Sequence, residues 1–126
     1  MERRIKVLVA DASEEFRRIL VEQLEGEAGI QVVGATGDGE EALQLSERLA
    51  PDVLVMDLVL TQMDGVEVLQ ALSKAEARPR VLVLSGFARG SVAELAASTG
   101  ADLYMLNRWG LTAVGERVRQ MAALQE

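Results

Sequence analysis

The chain has 126 residues, 49% of them hydrophobic, a formal net charge of −7, and neither cysteine nor histidine. This describes one globular domain, residues 1–126 with a core over about 5–122, and it excludes disulfides, thiol nucleophiles, Cys/His zinc sites and every histidine-based triad. The acidic balance argues against direct binding of nucleic acid, whose phosphates would be repelled.

In chain order, short apolar runs alternate with segments of helical spacing. "IKVLVA" (5–10) is of strand length, and Phe16, Leu20 and Leu24 recur every four residues after Asp11 and Ser13. "IQVVGA" (30–35) follows, then Ala42, Leu45 and Leu49 behind "GDGEE". "DVLVMD" (52–57) precedes Val66, Leu69 and Leu72, which Asp64-Gly65 introduces as cap and turn. "RVLVLS" (80–85) precedes a fourth helical segment on Val92, Leu95 and Ala96, and "DLYML" (102–106) a fifth on Leu111, Val114, Val118 and Met121. Gly34, Gly37, Gly39, Gly86, Gly90 and Gly100 mark the joints. Five strand–helix repeats with continuously apolar strands predict an α/β fold of the flavodoxin-like (βα)5 type. Its doubly wound parallel sheet would have strand order 2-1-3-4-5, with ligands bound outside the carboxyl ends of the strands. No apolar run approaches the roughly 20 residues of a membrane span. Met1–Arg4 leads into strand-like sequence without a signal-peptide core, so the expectation is a cytoplasmic domain.

One residue breaks this apolar logic. In "PDVLVMDLVL" (51–60), Asp57 stands inside a hydrophobic run, where an unpartnered carboxylate costs several kcal/mol. The topology accounts for it if Asp57 ends the third strand at the ligand-binding edge. The same edge receives Asp11 from the first strand, Ser85 from the fourth, and the stretch from Tyr104 to Asn107 from the fifth. Other readings compete. "DASE" also fits a capping box with Asp11 as cap and Glu14 reaching back, Ser85 fits a turn hydroxyl, and Tyr104 fits a core position.

With these residues in place, the chain resembles the receiver domain of two-component response regulators (CheY-like) from about Ile5 to Met121. The phrases that carry the likeness are "VLVAD", "GEEAL", "PDVLVMDLVLTQMDGVEVL", "VLVLSGFA" and "GADLYML". Within that family, "IKVLVAD", "EGEAGIQVVG" and "MDLVLTQMDGVEVLQ" look closest to sporulation-phosphorelay receivers. The resemblance implies Asp57 as acceptor of a phosphoryl group from a phosphohistidine on a sensor histidine kinase or phosphotransfer protein. It implies Ser85 and Tyr104 as switch residues. It also implies a metal, usually Mg²⁺, held by Asp11, Asp57 and a backbone carbonyl, here that of Val59. An output domain beyond the chain is a further family feature. So is pairing, here as a homodimer, through the face formed by the fourth helix, fifth strand and fifth helix (about 91–124).

Four positions depart from the family pattern. Ala12 stands where a second acid would touch the metal directly, Asn107 where a lysine would stand, and Arg108 where a proline would follow it. Thr61, after Asp57, replaces a usual proline. Mg²⁺ relies on one or two protein carboxylates, so binding should be weak. An incoming phosphoryl adds roughly −1.5 to −2 charges, which a lysine about 4 Å away would offset by up to about 4 kcal/mol at an effective dielectric of 20. Asn107 brings no charge. The expectation is therefore a receiver with a degenerate site, not an enzyme, acting by protein–protein interaction. The alternative is a working phospho-switch that controls a transcriptional output.

Two other chemistries on related folds fail on particular residues. An aspartate-nucleophile phosphatase needs a second acid two residues after the first, where Val59 stands. A flavodoxin needs a phosphate-cradling loop after the first strand, where "ADASEE" is acidic.

Overall fold

The computed structural model describes residues 3–76, 78–85, 101–106 and 111–123. Five strands and four helices lie within them: β1 Ile5–Ala10, α1 Glu14–Glu25, β2 Ile30–Thr36, α2 Gly39–Leu49, β3 Val53–Met56, α3 Gly65–Leu72, β4 Arg80–Ser85, β5 Leu103–Leu106 and α4 Thr112–Ala123. The fourth helical segment foreseen around Val92 lies outside the described residues, and α4 is the fifth foreseen from sequence. The strands form one parallel sheet in the order β2-β1-β3-β4-β5, as expected. No helix among the described residues is long and apolar enough to cross a membrane.

Strand alternation divides the core in two, because successive side chains point to opposite faces. Val7, Val9, Val53, Val55, Leu82 and Leu84 meet Leu20 and Leu24 of α1 and Val114, Val118 and Met121 of α4. Leu8, Ala10, Leu54, Met56, Val81 and Val83 point the other way, onto Ala42 of α2 and Val68, Leu69 and Leu72 of α3. Covering both faces explains why the central strands read as unbroken apolar runs.

The helix starts are set by side chains that accept the otherwise orphaned first-turn N–H groups. Asp38 caps α2 through the Glu40 and Glu41 amides, and Asp64 forms a reciprocal capping box with Glu67 on α3. On α1 the cap is Ser13, whose Oγ accepts from the Phe16 amide, so the capping-box reading of Asp11 gives way. Asp11 instead accepts the Ser13 amide at 2.9 Å. Gly34, expected at a joint, lies inside β2 opposite Leu8, just past a register shift. There its missing side chain leaves room for Leu8, Leu45 and Leu49.

Acids sit at both ends of the sheet. At the amino edge, Asp52 pairs with Arg3 and accepts the Lys6 amide. Asp102 there pairs with Arg78 at 3.0 Å and accepts the Val81 amide. These are cross-strand ties. The acids at the carboxyl edge are arranged differently, and Gly65 fixes how closely α3 approaches them. A Cβ on Gly65 would stand 2.6 Å from Leu58 Cα and 2.8 Å from the Asp57 carbonyl oxygen. Because the obstacle is backbone, Gly65→Ala should destabilise the fold by about 1–3 kcal/mol, read as a lower urea midpoint. An unchanged midpoint would contradict this packing.

Candidate functional site

β1 ends at Ala10 and β3 at Met56, one residue short of Asp11 and Asp57, but the sheet's hydrogen bonding continues through both acids. The Asp11 amide donates to the Thr36 carbonyl at 2.9 Å, and the Asp57 amide to the Ala10 carbonyl at 3.0 Å. Ala10 and Met56 are register partners, so the next residues, Asp11 and Asp57, stand side by side past the carboxyl ends of adjacent central strands. Asp11 is buried and Asp57 half-buried. Asp57 Oδ1 accepts the Leu58 amide at 2.7 Å.

The loop after Asp57 is tied to the loop after β2. The Thr61 amide and hydroxyl both donate to the Gly37 carbonyl, at 3.0 and 3.1 Å, and the Gly39 amide donates to the Thr61 carbonyl at 2.9 Å. A proline at 61 would have no N–H to give, so the substitution of Thr for the family proline adds a tie. Gln62 takes a left-handed conformation (φ 67°). Val59, between Asp57 and this clamp, is 52% exposed.

The other expected site residues fall as follows. Ser85 ends β4, and Tyr104 pairs with Val83 within β5. Asn107 and Arg108 lie outside the described residues, as do residues 91–100, 109–110 and 124 of the 91–124 face. Ala12 offers no ligand atom in its side chain. Sequence reasoning missed Arg17, whose Nη1 donates to the Asp11 carbonyl at 2.6 Å. The available signal was its place four residues past Ser13, on the side of α1 next to the Phe16–Leu20–Leu24 stripe.

A family model for the response regulator receiver domain matches residues 7–119. The chain belongs to the response regulator receiver family. Among curated relatives, this receiver is 39% identical over 104 residues to the protein-glutamate methylesterase/protein-glutamine glutaminase 5 of Myxococcus xanthus. It is 32% identical over 115 residues to the transcriptional regulatory protein LiaR of Bacillus subtilis. These matches cover 82% and 91% of the receiver but only 30% and 54% of the relatives' lengths. Among solved structures, the signal receiver domain of the response regulator NarL from Mycobacterium tuberculosis superposes with a TM-score of 0.92. It is 30% identical, covering 97% of this chain and 98% of that one. The response regulator domain of Thermotoga maritima CheB gives 0.88 at 27% identity, covering 96% and 98%.

Receivers of this family typically bind Mg²⁺ at the phosphorylation site, but the residues here do not fit a tight magnesium site. Ala12 removes one oxygen donor, a basic side chain reaches Asp11, and no group of three or more acids able to share a metal occurs among the described residues.

Burial is the largest influence on the Asp11 carboxyl and holds its pKa above the usual aspartate range. The Ser13 amide opposes this shift, nearby Asp57 adds to it, and Arg17 opposes it. The folded protein therefore keeps a proton on Asp11 at pH values where the unfolded chain has lost it. Ionising Asp11 costs stability above the folded pKa and nothing below the unfolded pKa. Asp11→Asn, which can still accept the Ser13 amide, should raise the melting temperature at pH 7 in metal-free buffer. That gain should shrink as pH falls through the raised pKa. A variant less stable than the parent at pH 7 would contradict it.

Proposed function

We propose that this receiver carries its phosphoacceptor position at Asp57 but works mainly as an interaction module, because Ala12 and Asn107 replace the second metal-binding acid and the lysine of the family pattern. The observation that carries this reading is Ala12 beside the paired Asp11 and Asp57, where the family's direct metal ligand would stand. Asn107 at the lysine position adds to it. A phosphoryl group arriving from a phosphohistidine would bring roughly −1.5 to −2 charges to a site that already holds two carboxylates. Any Mg²⁺ at Asp11, Asp57 and the Val59 carbonyl would be held weakly. The resulting phosphorylated state would couple poorly to Ser85 and Tyr104.

On this reading the partners are a histidine kinase or phosphotransfer protein, or a second copy of the chain meeting it through the 91–124 face. The chain by itself is not an enzyme. Its relatives extend well beyond the matched region, which supports an output unit attached in the parent protein. The likeness to sporulation-phosphorelay receivers rests on sequence phrases alone. A second reading, a working phospho-switch, is favoured by Asp57 itself: its amide is anchored in the sheet and its carboxylate stands at the ligand-binding edge.

Restoring the absent groups separates the two readings. Ala12→Asp returns the metal carboxylate and Asn107→Lys the cation. Each alone should help little, since both act on the same charge and their effects are not additive. With acetyl phosphate and Mg²⁺, the double variant should gain the mass of one phosphoryl group, and Asp57→Asn in that background should abolish the gain. Equal labelling of the unmodified chain would establish the phospho-switch reading instead.

A further inference from the structure

The carboxyl edge of the sheet carries the receiver pocket, and the amino edge carries a second concavity. It is a groove of about 590 Å³ between the carboxyl-terminal parts of α2 and α3. Leu43, Ala50, Ala71, Leu72, Ala75 and Pro79 supply its apolar lining. Ala50 lies shortly before β3 and Pro79 directly before β4, so the groove sits where the strands begin, away from Asp11 and Asp57. Its size falls within the range of roughly 300–1,000 Å³ common to small-molecule sites.

Three polar side chains set its chemistry. Ser46 lines the groove at 4% exposure, and its hydroxyl has no hydrogen-bond partner among the described residues. A helical serine can return its hydroxyl to the carbonyl four residues back, and this one does not. An unmet buried hydroxyl is costly, so a ligand that satisfies it gains what the free protein forgoes. Glu47 and Glu76 also line the groove, are exposed, and enter no ion pair among the described residues. The cations nearest in sequence, Arg48, Lys74 and Arg78, do not line it, and Arg78 pairs with Asp102. The lining thus joins an apolar floor to two carboxylates.

We propose that this groove binds a small organic cation, with an aromatic or branched apolar body and one protonated amine. The body would displace water from Leu43, Leu72 and Pro79, a gain that grows with the apolar area covered. An ammonium carries three donors and no acceptor, which suits a lining whose Glu47, Glu76 and Ser46 side chains can all accept. An anion would meet two like charges, and a purely apolar molecule would leave the Ser46 hydroxyl unmet. The site is separate from the Asp11–Asp57 pocket, and the proposal does not depend on whether Asp57 accepts a phosphoryl group.

The test is an NMR titration of the whole chain with naphthylmethylamine, set against its neutral counterpart naphthylmethanol. The amine should shift the backbone amide resonances of Ser46, Ala50 and Ala75 saturably and leave that of Leu58, beside Asp57, in place. The alcohol should bind roughly two- to fivefold more weakly, and Glu47→Gln with Glu76→Gln should remove that difference. Ser46→Ala should weaken both probes about two- to fivefold. Ala71→Leu should block the groove. If that variant fails to fold, Ala75→Leu, on an exposed residue of the same lining, carries the test. The absence of saturable shifts in the parent, or equal affinity for amine and alcohol, overturns the proposal. So does a basic amphipathic peptide that moves these resonances where the amine does not, since the groove would then be a protein-docking surface.

Discussion

The parallel register of β1 against β3 is the constraint on which the rest of this molecule depends. It sets Ala10 opposite Met56, so the next residue on each strand is an aspartate at the same edge of the sheet. Both aspartate amides are held in the ladder, so neither backbone can swing away to separate the charges. Burial and like charge together make the Asp11 carboxylate costly. A sheet whose interior is apolar on both faces tolerates such a pair only where the strands end. The amino edge handles its acids differently: Asp52 and Asp102 are closed by arginines and by amides of neighbouring strands.

Three contacts shape the pocket around the pair. Gly65 brings α3 onto the backbone of Asp57 and Leu58. Thr61 joins the loop after β3 to Gly37 in the loop after β2. Arg17 reaches Asp11 from α1 and packs against that same glycine. Geometry expected of a receiver is thus retained while the charge balance differs from the family pattern. The fold needs only shape and backbone hydrogen bonds at this edge, whereas phosphoryl transfer needs positive charge there. On the proposed reading, the absence of a second acid at position 12 and of a lysine at position 107 therefore bears on the chemistry and not on the fold.

Much of this was legible in the sequence because the strands are buried on both faces. Unbroken Val, Leu and Ile runs located β1, β3 and β4 to within a residue at each end, and their alternation with helical spacing carried the strand order. Asp57 announced itself by standing in an apolar run. The cap of α1 was less legible, because Asp11 and Ser13 both suit the role and only the extra residue of sheet hydrogen bonding at Asp11 decides for Ser13. Gly34 looked like a joint because close packing by Leu8, Leu45 and Leu49 leaves no mark on its neighbours in sequence. Arg17 was missed for a related reason: a helix arginine reads as surface until the loop after β2 is folded against it.

The most direct test of the central claim, a receiver pocket weakened by Ala12 and Asn107, is fluorine NMR of the unmodified chain with Mg²⁺ and beryllofluoride. This anion imitates a phosphoryl group on a carboxylate and requires no transfer step. The account predicts no bound fluorine resonance at concentrations that fill the pocket of the Ala12→Asp, Asn107→Lys double variant. A bound resonance on the unmodified chain, lost in Asp57→Asn, would contradict it.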